Sequence, residues 1–211
     1  MVDPEATAAI LKRALGYPYA VPDRPYLYRD GQPHEPPAGG FDLAGRTPLI
    51  SYGANSAPEA LGRKLAALPG LEMPVERAEL EDFDVVYSAH VSPYGAVPAT
   101  LHESPGTAAP IFVIHPTPEQ RALLTASEPN YDLVEVDGIA AYLSKHGCLH
   151  LDGSPVALAA VRSKGRTLPE LDEPAVLERV RTHLEPRLSL EDFIRACIAS
   201  GGRSFPEFGC L

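Results

Sequence analysis

Two short stretches carry residue types whose spacing could do chemistry. The first is Tyr52-Gly53-Ala54-Asn55-Ser56, where the apolar run "PLIS" gives way to a helix opened by Pro58. At a strand-to-helix turn the first backbone N–H groups have no helical partner, and the helix dipole adds partial positive charge, so an anionic group can be cradled there. Gly53 and the small Ala54 let a ligand come close to the backbone. Capping alone is the plainer account, with Ser56 and Glu59 spaced as a capping box and Pro58 in the first turn. The second stretch is "LLTASEPNYDLVEV", in which Glu128 stands between a helix and a strand. A carboxylate in such a place is ordinarily solvated, but Leu124, Ala126, Pro129 and Tyr131 surround this one with mostly apolar groups. Desolvation of that kind favours the protonated form of a carboxyl group, which suits general acid/base work.

The chain that must position these residues has 211 residues and is 45% apolar, enough for one large domain with a full core. Its net charge of −10 argues against nucleic acid and anionic membrane surfaces as partners, and leaves small molecules open. Cys148, Cys197 and Cys210 cannot all pair within the chain and are too few for a disulfide scaffold, so a reducing, cytoplasmic setting is expected. The first ten residues carry early acids and no basic-then-apolar leader pattern. No apolar run approaches the roughly 18 residues of a spanning helix.

Three regions are expected. Residues 1–48 read as an N-terminal extension that packs on the core. "PEATAAILKRAL" predicts a short helix, followed by an extended, Pro- and Tyr-rich stretch in which residues 31–40 are polar enough for disorder. In residues 49–165, strands are expected at "TPLISY", "FDVVYSAHV", "VPATLHE", "APIFVIHP", "YDLVEV", "GIAAYLS", "CLHL" and "SPVALAAV". "SPGT" reads as a turn, Asp137-Gly138 and Asp152-Gly153 as hairpin turns, and "PEALGRKLAAL" and "TPEQRALLTAS" as helices. Residues 166–211 turn helical, with Ser189 capping "LEDFIRACIA". Strands joined by short hairpins and interrupted by single helices point to an α+β fold, a small, mostly antiparallel barrel or sheet with flanking helices.

Competing chemistry is weaker. "KHGCLH" sets His146, Cys148 and His150 at alternate positions, which on a strand would face one side as zinc ligands do, but no fourth ligand is near. There is no Gly-x-Ser-x-Gly elbow for a serine hydrolase, and His90, His102 and His115 read as structural or surface groups.

Taken together, the segments resemble the gamma-glutamylcyclotransferase-like superfamily. Tyr52-Gly53-Ala54-Asn55-Ser56 is similar to that family's Tyr-Gly-Ser-Asn-Leu loop. Gly95-Ala96-Val97-Pro98-Ala99-Thr100-Leu101, then Pro105-Gly106 and "IFVIH", follow as its next strand, turn and strand. Leu124-Thr125-Ala126-Ser127-Glu128, then Tyr131 and "LVEV", match the region of its catalytic glutamate. The resemblance covers residues 49 to about 136, with Ala54, Ser56, Thr125 and Pro129 departing from the usual Ser, Leu, Asp and Gly. It implies an enzyme that releases 5-oxoproline from a gamma-glutamyl amide, the substrate's own α-amine attacking its γ-carbonyl. Glu128 would be the general acid/base, with Tyr52, Gly53, Ala54, Asn55, Ser56 and Tyr131 binding substrate. Neither cofactor nor metal is called for, and the partner is a small-molecule substrate. The alternative is a non-catalytic protein that binds a small acidic metabolite in the same pocket.

Overall fold

The computed structural model describes residues 4–210. Helix α1 (Pro4–Leu15) coincides with the expected segment. Strands β1 (Tyr26–Arg29) and β2 (Gln32–His34) then form a hairpin in the stretch read as extended, with disorder as the alternative for its second half. The reason is local: Asp30 and Gly31 take φ of 47° and 79°, the left-handed pair that a two-residue hairpin turn requires. The remaining elements are β3 (Leu49–Ser51), α2 (Pro58–Lys64), β4 (Met73–Tyr87), β5 (His90–Val91), β6 (Ala99–Ile114), α3 (Pro118–Ala126), β7 (Tyr131–Val136) and β8 (Ile139–Ser144). They continue with β9 (Cys148–Leu151), β10 (Ser154–Pro155), β11 (Ala157–Leu158), β12 (Glu170–Leu171), α4 (Glu173–Leu184), α5 (Leu190–Ala199), β13 (Arg203–Ser204) and β14 (Gly209–Cys210).

The main sheet runs in the order β12-β11-β4-β6-β3-β8-β7, and β1 joins β4 and carries β2. Its pairs are antiparallel except β3 with β8 and β11 with β12. The sheet is mixed and open from β12 to β7, so the fold is α+β with a sheet and flanking helices, and the expected small barrel does not close.

Strands β4 and β6 form one long hairpin pair, and the turn expected at "SPGT" does not reverse the chain. Between Glu81–Ala108 and Phe83–Glu103 the register shifts, so residues 104–107 stand opposite Asp82 alone. The turn residues thus make a bulge in a continuous strand. Gly106 has φ +80°, and its N–H donates to Asp82 Oδ1 at 2.7 Å.

Neighbouring residues of the central strands belong to different cores, as the period of two demands. Leu49, Val75, Ile114 and Tyr142 pack with Leu61 of α2, Leu124 of α3, and Tyr26 and Tyr28 of β1. Ile50, Val113 and Ala141 belong to the larger core, with Ala14 and Tyr17 from the N-terminal region, Val176, Leu177 and Val180 of α4, and Phe193 and Ile194 of α5. Both terminal regions therefore contribute to the core. A buried ion pair fixes the loop before β12. The Arg166 guanidinium meets Asp84 of β4 through Nε and Nη2, both at 2.8 Å, with side chains 7% and 0% exposed. No helix among the described residues is long and apolar enough to cross a membrane.

Candidate functional site

A cavity of about 470 Å³ opens at the end of β3. Both sequence-predicted segments reach it: Tyr52, Gly53, Ala54 and Asn55 from one side, Glu128 and Tyr131 from the other. Local structure explains how Glu128 arrives. Thr117 and Gln120 close a capping box that starts α3, and buried Leu124 anchors its far end. The chain then turns tightly, with Glu128 N donating to Thr125 O at 3.1 Å and Tyr131 N to Glu128 O at 3.1 Å. The carboxylate is left at the cavity wall, its side chain 15% exposed.

There it is joined to the loop directly. Asn55 Nδ2 donates to Glu128 Oε1 at 2.9 Å across 73 residues of sequence. Lys64, at the end of α2, donates from Nζ to the same Oε1 at 2.5 Å and to Asn55 Oδ1 at 2.7 Å. Asn55, Lys64 and Glu128 form a closed triangle, and Glu128 Oε2 has no hydrogen-bond partner among the described residues.

The loop is built as a 3₁₀ turn, Ala54–Ser56. Ala57 is the N-cap of α2 and makes no side-chain cap, so the capping box expected from Ser56 and Glu59 does not form. The Ser56 hydroxyl instead donates back to Gly53 O at 2.9 Å, and Ser56 O accepts from Tyr26 Oη. Ser56 lies outside this cavity wall and lines a neighbouring cavity of about 430 Å³, so it shapes the loop and does not face a ligand here. The amides of Ser56 and Ala57 are spent within the turn, while those of Gly53 and Ala54 take no backbone partner among the described residues. Tyr52 Oη donates to Tyr142 O, and Tyr131 Oη to Ala99 O at 2.8 Å. Burial raises the pKa of both phenols, so both are neutral ring walls.

Sequence reasoning did not single out Lys64, Arg13, Arg63 or His90 for this wall, and it offered the N-terminal tyrosines as either a strap over the core or a cover on the pocket rim. Lys64 follows the cavity-lining Ala60 by four positions, so it borders the buried stripe of α2; a charge at that edge was the available signal. Arg13, Tyr17 and Tyr19 come from the N-terminal region, and Arg63 from α2. Tyr17 Oη accepts from Ala99 N at 2.8 Å, and a Cβ added at Gly53 would lie 2.5 Å from that oxygen. Tyr17 therefore crowds residue 53, where any Cβ would force the phenol to shift, and the N-terminal region shapes the loop. The four tyrosines of that region divide their work: Tyr17 and Tyr19 line the cavity, Tyr26 and Tyr28 fill the second core.

His90 also reaches the wall. Its Nδ1 lies 2.7 Å from Ser88 Oγ, which lies 2.6 Å from Ser144 Oγ, and its ring centroid is 4.5 Å from that of His146. Burial, reinforced by His146, pushes the His90 pKa down to about 3, so the ring is neutral near pH 7. Strand β9 begins at Cys148, which leaves His146 in the preceding turn and out of line with Cys148 and His150. Among the described residues no three His, Cys, Asp or Glu side chains gather where they could hold a metal ion.

Two properties distinguish the cavity. Its charged lining is Arg13, Arg63 and Lys64 against the single carboxylate of Glu128, cationic in a chain of net charge −10. Ser51 Oγ is buried in its wall without a hydrogen-bond partner among the described residues, an arrangement that costs roughly 1–3 kcal/mol. The fold and site thus define an α+β protein with a cationic, aromatic-walled pocket. No family model, curated protein or solved structure matches the chain.

Proposed function

We propose that the protein is a gamma-glutamylcyclotransferase-like enzyme that releases 5-oxoproline from a gamma-glutamyl amide. The observation that carries this reading is the hydrogen bond between Asn55 and Glu128, which brings the two motif segments onto one cavity wall. The nucleophile of this reaction belongs to the substrate, so the protein needs no reactive serine or cysteine. Its tasks are to hold the glutamyl chain folded and to move a proton. Folding the chain so that the α-amine faces the γ-carbonyl is orientation catalysis, where effective molarities can reach roughly 10⁵–10⁸ M. Asn55 and Lys64 fix Glu128 through Oε1 and leave Oε2 for the substrate. In this reading Oε2 takes a proton from the attacking α-ammonium. The C–N bond to the ring closes and the γ-carbonyl oxygen bears charge; the same carboxyl returns the proton to the departing amine as its C–N bond breaks, then takes the second proton from the ring nitrogen and passes it to the freed amine, which leaves as its ammonium. The amides of Gly53 and Ala54 meet the charged oxygen or the substrate carboxylate. Tyr52 and Tyr131 wall the glutamyl chain.

The Lys64–Glu128 pair favours one second reading, a non-catalytic pocket for a small acidic metabolite, because a carboxylate already neutralised by a cation suits binding without turnover. Incubation with a series of gamma-glutamyl amides, with 5-oxoproline followed by mass spectrometry, separates the two. The enzyme reading expects one 5-oxoproline per amine released. Saturable binding with no 5-oxoproline from any amide would leave the metabolite-binding reading in its place.

A further inference from the structure

We propose that Arg13 and Arg63, which line the cavity with Tyr19, form a subsite for an anionic group on the amine half of the substrate. The proposal rests on the cyclotransferase reading of the cavity and names the substrate class it selects.

Arg13 comes from α1 and Arg63 from α2, and both line the cavity. The Arg63 guanidinium carbon lies 4.8 Å from the centroid of the Tyr19 ring, and that of Arg13 lies 4.8 Å from the centroid of Tyr94. Both cations act on the Tyr19 phenol, opposing the rise in pKa that its burial produces. Stacked on aromatic faces, the two side chains are held in place while their N–H groups stay available.

Their charges are largely uncommitted. Arg13 has no carboxylate partner among the described residues. Arg63 pairs with Glu59, whose side chain is 66% exposed, and such surface pairs contribute little. Glu128 pairs with Lys64 through Oε1, and no ion pair among the described residues joins it to Arg13 or Arg63. The Tyr19 hydroxyl is buried and its hydrogen-bonding neighbour is the Arg13 guanidinium, so its own O–H is left to donate. Two guanidinium groups and a phenol O–H on one cavity wall offer donors, the pattern that carboxylate and phosphate groups satisfy. The glutamyl end must face Glu128 for its amine to be deprotonated, so the amine half is what remains for this subsite. Arg13 and Tyr19 lie outside residues 49–136, so this selectivity belongs to the N-terminal region of this chain.

The test uses ligands that occupy the site and cannot cyclise. Glutarylglycine has the gamma-glutamyl skeleton without the α-amine. Glutarylglycinamide replaces only its terminal carboxylate with a neutral amide, and the glutaryl amide of aminomethylphosphonate replaces it with a phosphonate. Titration calorimetry on the full chain should show glutarylglycine binding about tenfold or more tightly than the glycinamide, the scale of one charge-assisted contact. Comparison with the phosphonate decides which anion the two arginines prefer. Arg13→Gln should bring the carboxylate-to-amide ratio below about twofold, whereas Lys12→Gln, on the same helix outside the cavity, should leave it unchanged. A ratio near one in the unmodified protein, no binding of any of the three, or a ratio untouched by Arg13→Gln would overturn the subsite. These outcomes are independent of turnover. A normal ratio without 5-oxoproline sinks only the reaction, and 5-oxoproline with a flat ratio sinks only the subsite.

Discussion

Replacing Glu128 with glutamine separates charge from shape at the centre of the site. The glutamine carbonyl can still accept from Asn55 and Lys64, so both hydrogen bonds to Oε1 survive in kind. What is lost is the charge facing Lys64 and the oxygen that exchanges a proton. The side chains of the pair are 21% and 15% exposed, between a surface pair worth roughly 0–1 kcal/mol and a buried one whose breaking costs roughly 3–5 kcal/mol. A stability loss of about 1–2 kcal/mol follows, which in a chain of this size lowers Tm by roughly 2–8 °C. The expected rate loss is larger, roughly 10²–10⁴-fold, or about 3–5 kcal/mol of barrier. The assay is the initial rate of 5-oxoproline formation at saturating amide, with thermal unfolding followed on the same samples. Adding Lys64→Met should recover part of the stability, because the unpaired ammonium is gone, and none of the rate. A Glu128→Gln protein that keeps more than about a tenth of the parent rate would refute the role given to this residue.

Gly53→Ala should destabilise by roughly 1–3 kcal/mol in thermal unfolding, through the clash with Tyr17 Oη alone, since Gly53 has an ordinary φ of −130°; an unchanged Tm would show that Tyr17 does not press on the loop. For His90 the folded pKa of about 3 lies below its ordinary 6.5, so its stability contribution is present above pH 6.5 and is lost as pH falls from there towards 3. The loss amounts to about 2 kcal/mol at pH 5, and chemical denaturation between pH 7 and 5 should show a shallower decline in His90→Gln. Arg166→Met leaves Asp84 buried and unpaired, and should cost roughly 3–5 kcal/mol in the same measurement; a cost under about 1 kcal/mol would mean that water reaches Asp84.

What the sequence disclosed follows how local each signal is. The start of α3 at Pro118 after Thr117, and that of α5 at Leu190 after Ser189, were legible because a cap acts over three residues. The Asp137-Gly138 and Asp152-Gly153 turns were legible for the same reason, both aspartates taking positive φ. Asp30-Gly31 has the same chemistry, but the prolines around it masked it. "SPGT" has turn residues, yet its flanking strands pair with one uninterrupted partner, and long-range pairing made a bulge of it. Of the candidate site, the loop and Glu128 could be found from motif order. Ser56, expected with the rest of the loop, has its hydroxyl spent on Gly53 O and faces a neighbouring cavity. Lys64 was signalled only by its place at the edge of the buried stripe of α2, while Arg13 and His90 reach the cavity through tertiary packing and nothing in their immediate sequence announces it.

The seating of α1 ties the cavity to the order in which the chain is made. Ala14 of α1 meets Gly95 at a point where Ile194 and Ile198 of α5 also converge, and Arg195 of α5 bonds Thr7 of α1. The helix that delivers Arg13 to the wall and leads into Tyr17 therefore has its seat completed by a helix synthesised about 180 residues later. At roughly 5–20 residues per second, that delay is on the order of 10–30 s. During translation the Tyr52–Asn55 loop and Glu128 emerge well before α5 does. A nascent chain thus has its central residues in hand while one wall of the pocket is still unsecured. For the same reason, a chain cut before Leu190 should lose the Arg13 side of the pocket although no residue of that wall has been removed.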